Sequence, residues 1–485
     1  MTGTHAVVVG GSMAGLCAGR VLSDFFDHVT IIDRDAYPDG ASERPGVPQS
    51  RHVHALLARG RQELERLFPG FDRLMLERGA HEIDFGRDFA TLRPQGWAPR
   101  EPDGFLLLFA SRHLLESVVR QLLRQRTNVT LVERTSVTGL TTIPNGRLRA
   151  TGVQICPPDK GAATELPAHL TVDASGRASK APEWLRALGL EPPGETVVDS
   201  FAGYSSRWFQ APPAARWPKE WWWKGIWIDI KEPKHLTAGV LFPVEQGRWI
   251  VTLGGVAKHY PPSDEAEFMA ALAQLRSPII AEAVRLAEPI SPVYCNRAMA
   301  NRFRHYECWH ERLDGFIALG DSACAFNPVY GQGMTTGTLS AGILADCLKH
   351  YGPLHPELAR HFFRAQAQVQ KDAWLLATGA DFRFPETEGK RSLSSRLFDP
   401  YMKALFAAAA TDAVLRHRIG EVLHMLRPPA AFFSPPIVGR VALGTAYRLL
   451  TPRHPGDQPI PALPPTPKPS EEAKGGGREV HSFRT

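Results

Sequence analysis

An α/β fold is predicted by two strand–turn–helix stretches and by what separates them. The first runs from His5 to Asp33. A short apolar run, Ala6 to Val9, meets a Gly-rich turn, Gly10-Gly11-Ser12-Met13-Ala14-Gly15. A helix of small and apolar residues follows, then a second strand that ends in Asp33, 23 positions after Gly10. The second stretch, Gly315 to Met334, repeats the logic: an apolar strand ends at Gly320-Asp321, and a Pro/Gly loop opens another helix of small residues. Between the two lie strand-like runs cut by Pro and Gly, and after them the chain reads as helical. The domains expected are a discontinuous Rossmann-like one at 1–195 and 296–352 (with a small excursion at 70–104), an inserted β-sheet substrate domain at 196–295, a helical region at 353–450 and a disordered tail at 452–485.

Each part has a physical reason. Gly10 allows the tight turn from strand to helix. Position 12 must be small for a pyrophosphate to approach the backbone, and Ser12 meets that need. Gly15 lets the helix lie close to the strands. The diphosphate then rests on free N–H groups at a helix N-terminus, and an acid at position 33 accepts from a ribose. Downstream, Arg44 and Arg51 are candidates for neutralising a diphosphate. His52 and His54 alternate, with no carboxylate cluster beside them, so no metal site is expected. Ser111 reads as the N-cap of a helix over 114–126, which places Arg112 in its first turn. Asn145-Gly146 signals a hairpin within a β meander. Strand Leu170–Asp173 ends in an acid followed by small residues. Trp221 to Ile230 is aromatic and β-prone, which fits a packing cluster on a sheet face better than a pocket wall.

The bulk numbers narrow the class. With 485 residues, 43% hydrophobic and 22% charged, the chain has ample apolar surface for more than one core. The net charge of +6 is too mild to imply nucleic acid and suits an anionic dinucleotide. Six cysteines without a C-x-x-C pair fit a reduced, cytoplasmic setting. The first strand starts too early to leave room for a signal peptide, and no apolar run is long enough to span a bilayer. Ala430 to Leu450 is apolar with scattered arginines. It is read as a packed C-terminal helix in preference to one resting on a membrane surface.

Three motifs in order, Gly10–Gly15 with Asp33, Asp173–Ser179 and Gly320-Asp321, resemble the fingerprints of single-component FAD-dependent monooxygenases of the p-hydroxybenzoate hydroxylase fold. The resemblance covers about residues 1–350. The runs Gly46–His52 and Phe326–Met334 are similar to those of the branch holding polyether olefin epoxidases and squalene monooxygenase-like enzymes. The resemblance implies an FAD-binding domain of the glutathione reductase type. It places Gly10, Ser12, Met13, Ala14 and Gly15 at the pyrophosphate and Asp33 with Arg34 at the adenosine ribose. Arg51 and Arg112 lie along the cofactor, Val137 near the adenine, and Asp321 at the ribityl–pyrophosphate region. Pro328, Gly331, Gly333 and Met334 lie against the isoalloxazine. Asp173 belongs to a motif associated with both FAD and NAD(P)H, although this chain reads Asp-Ala-Ser-Gly where the family has Asp-Gly.

The implied reaction takes reducing equivalents from a transient NAD(P)H and oxygen from O2. It delivers one oxygen atom, through a flavin C4a-hydroperoxide, to a bulky lipophilic substrate by epoxidation or hydroxylation. No catalytic side chain is singled out. Trp227, Phe326 and Tyr204 are candidates for the substrate pocket. The alternatives are an isoprenoid-reductase-type flavoprotein, a flavin-dependent halogenase (the Trp-x-Trp-x-Ile-Pro order of that class is absent) and a non-catalytic flavin-binding protein.

Overall fold

The computed structural model describes residues 3–145, 147–157, 163–297, 299–311, 313–391, 393–450 and 461–465. Its centre is a five-stranded parallel sheet. In spatial order the strands are Phe316–Ala318, Leu170–Asp173, His5–Val9, His28–Ile32 and Val129–Val132. His5–Val9 is buried along its whole length, as a parallel strand covered on both faces must be. In register, Val9 pairs with Asp173 and with Ile32, and Asp173 pairs with Ala318. The three sequence motifs therefore leave the sheet at one carboxyl edge, where α/β folds bind ligands. The turn N–H groups seal that edge: Gly10 donates to Ile32 O (2.8 Å), Ala174 to Val9 O (2.8 Å) and Leu319 to Asp173 O (2.9 Å).

A mixed eight-stranded sheet forms a second layer, with its own core around Phe209, Trp223, Trp249 and Phe268. Most of its strands come from residues 203–296, but two, Phe89–Arg93 and Gly96–Trp97, come from the stretch that reads as irregular in the sequence. Phe89–Arg93 pairs in parallel with Gly225–Ile228, so its reason to be a strand lies far away in the chain. Trp221 and Trp223 pack with Trp217 and Trp249, the sheet-face cluster anticipated above.

The helix Gln332–Tyr351 packs on the opening helix Met13–Leu22 and on Ala58–Leu67. Close contact needs small residues there: a Cβ on Gly337 would lie 3.3 Å from Ala14 Cβ, and one on Gly60 2.5 Å from Thr335 Oγ1. Within the helical region expected at 353–450, residues 393–423 form two helices, Leu393–Ala408 and Ala413–Leu423. Asp412 caps the latter by accepting from Val414 N and Leu415 N. Ala430–Leu450 resolves into the helix Pro435–Leu450. No helix among the described residues is long and apolar enough to cross a membrane. Of the predicted tail only 461–465 lie within the described residues; there Pro461 O accepts from Trp97 Nε1 (2.9 Å) and Ala462 O from Ser277 Oγ.

Candidate functional site

Two helix N-termini converge at the carboxyl edge of the parallel sheet. One belongs to Met13–Leu22, the other to Gln332–Tyr351, and a Cβ on Gly320 or Gly337 would lie 3.2 or 3.3 Å from Ala14 Cβ. The opening helix has no acid in its first turn and no side-chain cap bond, so its N–H groups remain available to an anion. Two glycines are fixed by space. A Cβ on Gly15 would lie 1.8 Å from Gly10 O, and one on Gly10, whose φ is +99°, 2.6 Å from Ala174 O.

Around this turn lies a buried ionic network. Arg44 Nη1 donates to Asp33 Oδ2 (2.9 Å) and Asp35 Oδ2 (3.3 Å), and its Nη2 to Glu116 Oε2 (3.2 Å) and Gly11 O (3.2 Å). Arg112 donates to Glu116 Oε1 (2.9 Å) and to Ser12 Oγ (2.8 Å), while the Ser12 hydroxyl donates to Glu116. Asp33 also accepts from Gly11 N (2.7 Å). Burial alone would raise the Glu116 carboxyl, but Arg112, Arg44 and the Ser12 hydroxyl outweigh it and hold the group below its usual range. Burial likewise opposes the charge of Arg44, and Glu116 and Asp33 more than compensate. The Tyr37 ring lies beneath Arg44 and Arg120. Its hydroxyl is buried without a partner among the described residues, and it would sit 1.6 Å from a Cβ on Gly11. The space enclosed by Pro38, Ser42, Arg44, Ser50, Arg112 and Glu116 holds about 10 Å³. The Arg44 and Glu116 side chains thus fill the space beside the turn, while the backbone cradle is set by Gly10 and Gly15.

The second half of the site faces differently. No hydrogen bond or ion pair among the described residues reaches the Asp321 carboxylate, and burial raises its pKa against the pull of Arg177 and Arg112. A Cβ on Gly333 would come 3.6 Å from Asp321 Oδ1, so the acid stands beside the first turn of the long helix. In that turn Gln332 is 1% exposed, yet among the described residues neither its Oε1 nor its Nε2 has a partner, and the Thr335 hydroxyl is equally unpaired. Buried amides without partners are costly and rare. Together with the open N–H groups and the cradle fixed by Gly10 and Gly15, they fit a dinucleotide that ends in a polar ring.

The structure does not gather every residue singled out from the sequence. Arg51 pairs with Glu43 and lies over the Tyr294 ring, away from the ionic network, and Arg34 is exposed. Asp173 is fully buried and spent on its own turn, accepting from Ser175 N, Ser175 Oγ and Ser179 Oγ. Val137 is half-buried on the strand that follows Thr135, whose N–H bonds Asp33 O (2.9 Å). Pro328 is exposed; Gly331 takes a φ of +65° between the 3-10 turn and the helix, and Met334 is buried in the main core. Trp227, Phe326 and Tyr204 sit in three separate apolar clusters. Tyr204 meets the His52 ring edge-on at 4.3 Å, and His52 Nδ1 bonds Ser206 Oγ (2.8 Å). Burial pushes His52 and His54 down to about 3, so both are neutral at physiological pH.

Glu116, Tyr37, Gln332 and Thr335 were not singled out. Glu116 left one trace in the sequence: with Arg112 it forms an i, i+4 charged pair on a helix whose other inward positions are Leu115, Val118 and Val119.

The loop before Pro328 is held by a buried polar knot. Asn327 N donates to Asn301 Oδ1 (2.6 Å), and the Asn301 and Asn327 amides donate to Asp381 (2.5 and 3.1 Å). Burial pushes the Asp381 carboxyl up to about 6, opposed by hydrogen bonds from Ser200, Asn301 and Asn327. A raised carboxyl keeps its proton in the folded state while the unfolded chain has lost it. Stability therefore falls as pH rises through the window from about 4 to 6. Asp381→Asn should flatten that slope, removing about 2–3 kcal/mol of pH dependence in urea unfolding measured across the window.

No family model matches the chain. It is 33% identical over 454 residues to protein Rv3254 of Mycobacterium tuberculosis, a match that covers 90% of this chain and 92% of that protein. Among solved structures it is similar to the flavin-dependent brominase Bmp2 (TM-score 0.64, 14% identity, 92% of this chain and 100% of that one). It is also similar to a flavoprotein/dehydrogenase from Cytophaga hutchinsonii (0.63, 16%, 92% and 99%). The third is 2-methyl-3-hydroxypyridine-5-carboxylic acid oxygenase (0.58, 16%, 86% and 97%). At these identities the likeness shows the fold, which is the one shared by flavin-dependent oxygenases and halogenases. The chain belongs to the family of Rv3254 from Mycobacterium tuberculosis.

Proposed function

We propose that the chain is an FAD-dependent monooxygenase that draws electrons from NAD(P)H and places one oxygen atom from O2 on a bulky lipophilic substrate, by epoxidation or hydroxylation. The observation that carries this reading is the pairing of two helix N-termini at one sheet edge, one on the Gly10–Gly15 turn and one beside the unpaired Asp321 and Gln332. The first suits a diphosphate. The second suits a ring with hydrogen-bonding edges. When bound, FAD supplies the electron transfer and oxygen activation that side chains lack.

The protein's part is to bind and orient. N–H groups of Met13, Ala14 and Gly15 hold the diphosphate, and Asp33 takes the adenosine ribose once Arg44 has moved. Asp321 takes a hydroxyl of the ribityl end. Gln332 offers one donor and one acceptor to the ring edge, and the positive helix end favours negative charge placed there. Neutral His52 and Tyr204 lie where the 46–55 loop meets the eight-stranded sheet and can carry a hydrogen bond without adding charge.

The test is oxygen uptake by the purified, FAD-loaded protein with NAD(P)H and a panel of lipophilic alkenes and aromatics, using labelled O2. Label in the product supports the reading. Turnover without O2, or turnover that requires a halide, replaces it with a reductase or a halogenase. Asp321→Asn separates binding from folding: it should lower FAD affinity about tenfold or more while leaving the apoprotein about as stable as before, because the carboxylate is half-buried and makes no hydrogen bond or ion pair among the described residues that the amide would lose. Isothermal titration together with thermal melts checks both halves.

A further inference from the structure

Among the described residues, the C-terminal helices leave an apolar face uncovered. Residues 393–450 hold eleven of the twenty-one large hydrophobic side chains exposed among the described residues. Leu393 and Leu397 are 77% and 78% exposed on one helix; Leu443 and Leu450 are 73% and 82% exposed on the other. Leu443, Tyr447 and Leu450 recur at i, i+4 and i+7, so they form one stripe. The two helices are locked together, since Leu405, Ala408, Ile437 and Val441 share a core and a Cβ on Gly444 would lie 2.8 Å from Ala408 Cβ. A groove of about 570 Å³ runs beside them, lined by Ala408, Pro436, Arg440, Leu443, Tyr447 and Arg448.

Charge selects the occupant. The segment carries seven Lys and Arg against three Asp and Glu, a net +4 out of the whole chain's +6. Each acid is already paired: Asp399 with Arg391, Asp412 with Arg440, Glu421 with Arg418 and Arg427. Arg396, Lys403 and Arg448 have no acidic partner among the described residues. A second copy seated on this face would bring these cations against their own kind. An anionic surface would attract them. Neither helix can span a bilayer, so the geometry fits one that lies in the headgroup plane with its leucines in the acyl boundary.

We propose that the helices Leu393–Ala408 and Pro435–Leu450 form a docking surface for an anionic lipid membrane.

The test is flotation of the full chain with phosphatidylcholine vesicles, with and without phosphatidylglycerol. Binding should require the anionic lipid and weaken with added salt. Leu443→Asp with Leu450→Asp, and separately Arg396→Glu with Arg448→Glu, should each reduce binding about tenfold or more. Leu286→Asp, at an exposed leucine elsewhere, should leave it unchanged. The charge-reversal pair keeps the test valid if the leucine pair fails to fold. No flotation with either vesicle, equal flotation of all variants, or a dimer in light scattering that Leu443→Asp dissolves without any vesicle binding would each overturn the proposal.

Discussion

Gly15→Val should leave the protein unable to retain FAD and lower its stability by roughly 3 kcal/mol or more. The new Cβ would stand 1.8 Å from Gly10 O, a backbone atom of the turn itself, and so cannot be relieved by moving a side chain. Relief requires the helix Met13–Leu22 to lift from the sheet. That would break its contact with Val8 and swing its N–H groups away from the anion they are meant to hold. Gly11→Ala is the control. The three atoms nearest its Cβ, the Tyr37 hydroxyl at 1.6 Å, Tyr37 Cζ at 2.8 Å and Asp33 Oδ2 at 3.1 Å, all belong to side chains, so a side chain can yield and the turn should survive. Thermal melts and FAD retention on gel filtration should separate the two. Loss of both properties is expected in the first variant, and a near-normal fold in the second.

Arg44→Met should destabilise the apoprotein by about 3–5 kcal/mol, because it strands carboxylates that have been removed from water. Asp33, Arg44 and Glu116 are 7%, 5% and 5% exposed, so solvent cannot replace the lost partner. Adding Glu116→Gln should recover part of the loss, since the two substitutions act on one network. Urea unfolding of the single and double variants measures the coupling. Acid acts in the same direction as the substitution. The Glu116 ionisation is depressed in the fold, so its contribution is complete above about pH 4.5 and is lost as pH falls below that value.

The sequence revealed those features whose causes are local. Strand, glycine turn and helix lie within a few residues of one another, so Gly10, Ser12 and Gly15 could be named with their reasons, and Ser111 could be recognised as a cap. The parallel sheet followed from two such units. What stayed hidden depends on partners distant in the chain. Phe89–Arg93 becomes a strand only against Gly225–Ile228. Asp33 reads as a free ribose acid until Arg44 and the Gly11 amide claim it. Asp173 reads as a ligand-facing acid until Ser175 and Ser179 consume it. Arg51 was preferred to Arg44 by resemblance, whereas the fold buries Arg44 and pairs Arg51 with Glu43. Burial decides which of two neighbouring arginines joins a network, and burial is set by the whole chain. The same limit applies to Ala430–Leu450: its helix was legible, but how little of it would be covered was not.

The central claim is that one dinucleotide, FAD, spans from the Gly10–Gly15 turn to the Asp321–Met334 segment. Titration of the apoprotein with FAD, followed by flavin fluorescence, tests it most directly. The account predicts saturable, stoichiometric binding that Gly15→Val abolishes and Asp321→Asn weakens. Absence of saturable binding, or equal binding by all three proteins, would contradict it.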